Sequence, residues 1–199
     1  MQTMERKEIQ EQRMRNYFIQ ATKEIMKAEG LHCVSVRNVA ERAGYSYATL
    51  YNYFKDVKDL IFICVEDFQN ECKEFIDDRI SKNTGGIERI KEISNAYIHY
   101  FLEYPGIYEL FFVEKMNNIT SKQSQSEMIC NFLDRLCEAS WKEAIKERSI
   151  TEEIAQQKKT QLRYQVNGLL LFYLHRNNPP AYQDFCKTTN DLLNLILSK

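Results

Sequence analysis

Six glycines and three prolines in 199 residues leave the chain almost unpunctuated. Those two residue types break regular elements most strongly, so a chain this poor in them is free to run as long helices. The apolar residues agree, because they recur at helical spacing nearly everywhere and no segment alternates with a period of two. A first helix is expected over about residues 5–29, with Ile9, Met14, Phe18, Ala21, Ile25 and Ala28 inward and Gly30 as its stop. Ser35 reads as the cap of a short helix through Val36, Val39, Ala40 and Ala43, which Gly44 ends. Ser46 reads as the cap of the next, holding Leu50, Tyr51 and Phe54. Asp56 and Asp59 bracket the start of a longer helix over about 57–81.

Further helices are expected around Ile87 to Tyr104, from Pro105, from Met128 to Ile145, from Thr151 to about Asn177, and from Tyr182 to Ile196. The polar stretch 117–127 reads as a loop, and Cys130 and Cys137 as neighbours on one helical face. The expectation is an all-α chain of about nine helices. Its N-terminal lobe of three helices spans 1–56, and a larger helical lobe spans 57–199, with no flexible linker between them.

The segment from Ser35 to Phe54, "SVRNVAERAGYSYATLYNYF", has the form of a helix, a glycine turn and a second helix. Val36, Val39, Ala40, Ala43, Leu50 and Phe54 supply an inner face. The outward positions of the second helix are Tyr47, Ala48, Thr49, Tyr51, Asn52 and Tyr53, with no Lys or Glu until Lys55. A helix of purely structural use would carry charge there for solubility. Tyr, Thr and Asn can hydrogen-bond phosphates and base edges, and Ala and Thr can touch the thymine methyl. Charge gives weak support: residues 1–60 hold ten Lys/Arg against eight Asp/Glu, while the whole chain has net charge −1.

Ser35 to Leu60 resembles the DNA-binding signature of the tetracycline-repressor (TetR/AcrR) family. The shared features are A-x-x-A-G at Ala40–Gly44, Thr-Leu-Tyr at 49–51, Tyr-Phe at 53–54, and Leu60. The resemblance covers about 26 residues; the rest agrees in outline only. It implies a palindromic operator in double-stranded DNA as partner. Tyr47, Ala48 and Thr49 would approach bases, and Tyr51 and Tyr53 the phosphate backbone. Ser35, Arg37, Ser46, Asn52, Lys55 and Lys58 are the remaining candidate DNA contacts. The chain departs from the pattern at Tyr45, at Ala48, and at Val57, where the family usually has a phosphate-gripping lysine.

The resemblance further implies a small-molecule effector in the C-terminal lobe. Tyr97, Phe101, Tyr104, Tyr108, Phe112, Trp141, Tyr164 and Phe172 are the candidate lining, since aromatic walls suit an apolar ligand. It also implies a homodimer through the last two long helices, with Leu169, Tyr173, Phe185, Leu192, Leu193 and Ile196 as candidate interface. Gly168, inside the first of these helices, costs about 1 kcal/mol against alanine unless close packing uses the missing side chain.

Other classes are disfavoured. There is no nucleophile–base pair, phosphate loop or carboxylate pair in an apolar setting, so an enzyme is not expected. The histidines His99 and His175 are isolated, no metal-ligand spacing occurs, and no cofactor is expected. The cysteines form no CxxC pair, and the longest apolar run, 166–174, is too short to span a bilayer, so a cytoplasmic protein is expected. The expected function is a dimeric transcriptional repressor released from DNA by its effector. The alternatives are a helical interaction protein with a degenerate helix-turn-helix, and an all-helical enzyme or carrier.

Overall fold

The computed structural model describes residues 2–115 and 123–198, with side chains from 6–115 and 126–198. Among these residues there are ten α-helices and no strand. They are α1 (Gln2–Glu29), α2 (Val36–Ala43), α3 (Tyr47–Tyr51), α4 (Val57–Asp77), α5 (Gly86–Glu103), α6 (Pro105–Tyr108), α7 (Gln123–Cys130), α8 (Phe132–Lys146), α9 (Glu152–Arg176) and α10 (Tyr182–Leu197). A 3-10 turn at Leu31–Cys33 follows α1, and α6 widens into a π-helical turn over Glu109–Val113. No helix among the described residues is long and apolar enough to cross a membrane.

Several boundaries differ from expectation, and α4 ends at Asp77 rather than about 81. Residues 123–127, expected as loop, are helical within α7, while 117–122 lie outside the described residues. The helix expected from Met128 to Ile145 is broken at Asn131, whose side-chain oxygen accepts from Arg163. The break puts Cys130 on the surface and Cys137 in the core, so they do not share a face.

Contacts gather the chain into two compact units. The first comprises Met1–Gln69 and Gly106–Glu127, the second Asn70–Pro105 and Met128–Lys199. The first has a core of Phe18, Ile25, Val39, Leu50, Phe54, Leu60 and Phe68, joined by Ile107, Tyr108 and Phe111. Burying each such side chain stabilises by about 1.5–3 kcal/mol. Within it Lys23 pairs with Asp67 at 3.3 Å and lies over the Phe68 ring, so its buried stem ends in a satisfied charge.

In the second unit α5 packs most extensively against α8, and α9 lies against α5, α8 and α10. Ile90, Tyr97, Phe101, Leu133, Trp141, Val166 and Leu170 fill its interior. The N-terminus of α5 is capped from a distance: Gly86 N–H donates to Glu143 Oε2 at 2.7 Å. A β-carbon on Gly85 would lie 2.9 Å from that carboxylate, which accounts for a glycine there.

Candidate nucleic-acid interface

The local sequence builds the first unit's helix pair in three steps. Ser35 is extended (φ −140°) and its hydroxyl accepts from Asn38 N–H at 3.2 Å, starting α2. Gly44 then takes a left-handed conformation (φ 78°, ψ 25°), and Tyr45 N–H closes on Ala40 C=O at 2.9 Å. Open space surrounds the position of a Gly44 β-carbon, so glycine is demanded there by φ alone. Ser46 finally caps α3, accepting from Thr49 N–H at 3.1 Å and lying 2.9 Å from the Thr49 hydroxyl.

Leu50 is the one buried residue of α3, and Phe54 just beyond it is buried too. The opposite face carries Tyr47, 66% exposed, Ala48, and Tyr51, 53% exposed. Ser35, Arg37, Ser46, Asn52, Lys55 and Lys58 are also exposed, while Thr49 and Tyr53 are half-buried. The candidate DNA contacts thus fall on α2, α3 and the approach to α4, all within one unit. At that approach Asp56 caps α4 through Asp59 N–H at 2.8 Å, and Val57 is half-buried.

The second helix is shorter than its sequence suggests. It stops at Tyr51, and Asn52 and Tyr53 form a turn. The reason is distant in sequence: Arg15 Nη1 donates to Tyr53 C=O at 2.6 Å and its guanidinium lies 4.5 Å from the Phe54 ring centre. Tyr45 packs 6.0 Å from Tyr17 and 5.7 Å from Phe18. Phe18 also sits 6.1 Å from Tyr53 and edge-on to Phe54. Arg42 pairs with Glu29 at 2.6 Å, holding α2 to the end of α1. Residues 15, 17 and 18 of α1 therefore position the exposed face of α3, a role that helical periodicity did not reveal.

The other candidate residues are scattered. Tyr108 and Phe112, with ring centres 5.2 Å apart, belong to the first unit. In the second unit Tyr97 and Phe101 are buried 4.8 Å apart, Tyr104 is half-buried and Trp141 is fully buried. Tyr164 is 69% and Phe172 55% exposed, so these two face solvent in the single chain. A groove of about 330 Å³ between α5 and α10 is lined by Asn95, Ile98, His99, Leu102, Phe185 and Thr189, none of them a candidate effector residue.

Polar residues join α5, α8 and α9 inside this unit. Tyr97 O–H donates to Asn167 at 3.0 Å, Asn167 donates to Arg163 C=O at 2.9 Å, and Arg163 pairs with Asp134 at 3.1 Å. Burial pushes the Asp134 carboxyl up, and the Arg163 and Lys159 charges oppose that.

Of the candidate interface residues, Phe185, Leu193 and Ile196 are buried within the chain itself; Leu193 is 0% exposed. Tyr173 packs on Phe185 with ring centres 4.1 Å apart. Leu169, Tyr173 and Leu192 are half-buried. The apolar stripe of α10 serves the protomer's own core, and its outward apolar residues are Tyr182 and Leu195, the latter 77% exposed.

A family model described as "Bacterial regulatory proteins, tetR family" matches residues 18–62. Residues 18–62 belong to that family. The match begins at Phe18, at the centre of the aromatic cluster behind the helix-turn-helix, and runs through α3 into α4. The remainder has the fold of TetR-family structures. FadR from Bacillus halodurans superposes with a TM-score of 0.70 at 14% identity, covering 92% of this chain and 94% of that one. FadR from Bacillus subtilis, solved in complex with stearoyl-CoA, gives 0.69 at 16%, covering 92% and 97%. A TetR family transcription regulator from Marinobacter aquaeolei VT8 gives 0.61 at 17%, covering 95% and 97%. At such identities the likeness establishes the TetR fold alone. A search of curated proteins found no match.

Proposed function

We propose that this chain is a non-enzymatic, cytoplasmic transcription regulator that binds a palindromic operator as a homodimer and represses until a small molecule in the second unit releases it. The observation that carries the reading is the exposed face of α3. Tyr47, Ala48 and Tyr51 stand out from a capped helix whose position is held by Arg15, Phe18 and Tyr45. Such a face presents hydrogen-bonding groups and a small apolar residue, which suit contact with phosphates, base edges and the thymine methyl.

Dimerisation draws support from Gly168. A β-carbon at that position meets nothing within 4 Å among the described residues, so none of them uses the missing side chain. At steps of four and three residues Tyr164, Gly168 and Leu171 share one strip of α9, with exposed tyrosine and leucine on either side of the glycine. A second copy crossing closely there would use the gap and cover the apolar flanks. Gly168→Met tests this with opposite signs: the protomer gains helix propensity, about 1 kcal/mol, while the dimer is lost on sedimentation. A variant that is both more stable and fully dimeric would refute it.

The effector is read as a small apolar molecule, and acyl-CoA is the first class to titrate, given the stearoyl-CoA bound by the Bacillus subtilis neighbour. Helix α4 contributes residues to both units and is the element through which release would be transmitted. A true effector weakens DNA binding, and DNA weakens effector binding by the same factor, for about 1–3 kcal/mol of coupling. The deciding experiment is a gel shift and footprint on the DNA beside the chain's own gene. Two protected half-sites about 34–36 Å apart, lost in Tyr47→Ala, support the reading. One observation favours a helical interaction protein instead, namely the carboxylate of Asp56 and the apolar Val57 where α4 would meet phosphate. No protection by the wild type at saturating protein would decide for it.

A further inference from the structure

We propose that the N-terminal half of α1 is a second phosphate-gripping surface, lying along the DNA backbone beside the segment that α3 reads; this rests on the DNA-binding function proposed above. Residues 6–13 of α1 are all exposed, and burial begins only at Met14 and Arg15. From there the helix is clamped to the end of α3, by Arg15 on the Tyr53 carbonyl, and to the turn before it, by Tyr17 beside Tyr45. The free turns therefore continue outward from a point next to both ends of the reading helix.

Their charges are sorted. At about 100° per residue, Arg6, Gln10, Arg13 and Tyr17 fall on one strip and Glu8 on the opposite side, while Lys7 and Glu11, four residues apart, lie together at the border. Arg6, Lys7, Gln10 and Arg13 wall an open groove of about 670 Å³. Among the described residues none of Arg6, Lys7 or Arg13 makes an ion pair, and Arg6 and Arg13 lie on the strip that leads to the turn before α3.

The sorted cations favour a polyanion, and their place beside the turn before α3 favours DNA. Exposed helical turns gain nothing from packing and are marginal alone, so a surface alongside them would stabilise them. At the start of α4 the exposed cations are Lys55 and Lys58, on either side of the Asp56 cap and the half-buried Val57. Cations on α1 add to those of Lys55 and Lys58, and they act on the backbone, without regard to base sequence.

The test uses the full chain and a mixed-sequence duplex, with affinity measured across salt. Each lost phosphate contact lowers the log–log salt slope by about 0.9. Combined Arg6→Ala, Lys7→Ala and Arg13→Ala should therefore lower it by about 2–3 units per protomer, with helix content by circular dichroism unchanged. Arg6→Lys with Arg13→Lys should keep the slope, and so should Lys142→Ala, an exposed cation of the second unit. A wild type that binds while the triple variant has the same slope overturns this proposal alone. A wild type that binds no duplex overturns the DNA reading itself and this proposal with it. Loss of binding to anionic lipid vesicles with the DNA slope intact would also overturn it, assigning α1 to a membrane surface.

Discussion

Replacing Ser46 by alanine and by aspartate separates the folding of α3 from its use. The helix has five residues, too few to stand without help, and the Ser46 hydroxyl satisfies the Thr49 amide at 3.1 Å. Ser46→Ala removes that acceptor, which typically costs about 1 kcal/mol. A factor of about 5 in the opening equilibrium follows. The Thr49 amide should exchange about that much faster, and duplex affinity should fall by no more than the same factor. Ser46→Asp keeps the acceptor and adds a negative charge at a helix N-terminus, favourable by about 0.3–1 kcal/mol. Thr49 should then exchange as slowly as in the wild type, or more slowly. The same charge, if a phosphate passes about 4 Å away, costs from about 1 kcal/mol at the dielectric of water to about 4 at an effective value of 20. Binding should weaken at least about 5-fold. An aspartate variant with a protected Thr49 amide and undiminished affinity would show that the start of α3 faces no phosphate, and the assignment of this face would fail.

Gly44→Ala should destabilise the first unit by about 1–2 kcal/mol through left-handed backbone strain alone, and Gly44→Asn by less, because nothing crowds the site; urea midpoints that do not differ between the two would contradict this. Gly85→Ala should cost about 1.5–3 kcal/mol by displacing the Glu143 carboxylate from the Gly86 amide, and should add little once Glu143→Ala is already present. A hydrogen bond from Lys159, 3.1 Å away, holds the Glu138 carboxyl below its ordinary value. Its contribution is therefore present above the unfolded value of about 4.3 and is lost as the pH falls through the lower folded value. Wild type and Glu138→Gln should differ in Tm at neutral pH, by under about 1 kcal/mol for this part-exposed pair, and converge in acid. A gap that widens on acidification would reverse the assigned sign.

The all-helical class and the helix-turn-helix were legible because their signals are local. Ser35, Gly44 and Ser46 each act on backbone within four residues, and each sits where the chain starts or turns a helix. The end of α3 was not legible, since Arg15, 38 positions before Tyr53 in the chain, takes the carbonyl that a longer helix would have used. The break at Asn131 has the same character, with Arg163 engaging its side chain from α9. Propensity is blind to such partners.

Periodicity has a second limit, which α9 and α10 expose. It finds an apolar stripe but not what the stripe faces. Leu193 and Leu195 lie two residues apart, about 200° around the helix, and the structure buries one and leaves the other in solvent. A sequence in which both the core stripe and a partner-facing stripe are apolar reads as one broad band, so residues of the protomer core were assigned to the partner. Gly168 escapes that ambiguity. Its cost to the helix is intrinsic, and the described residues offer no packing in return. A destabilising residue without a use inside its own fold points outward, and that makes it a sharper marker of a second copy than any of the leucines around it.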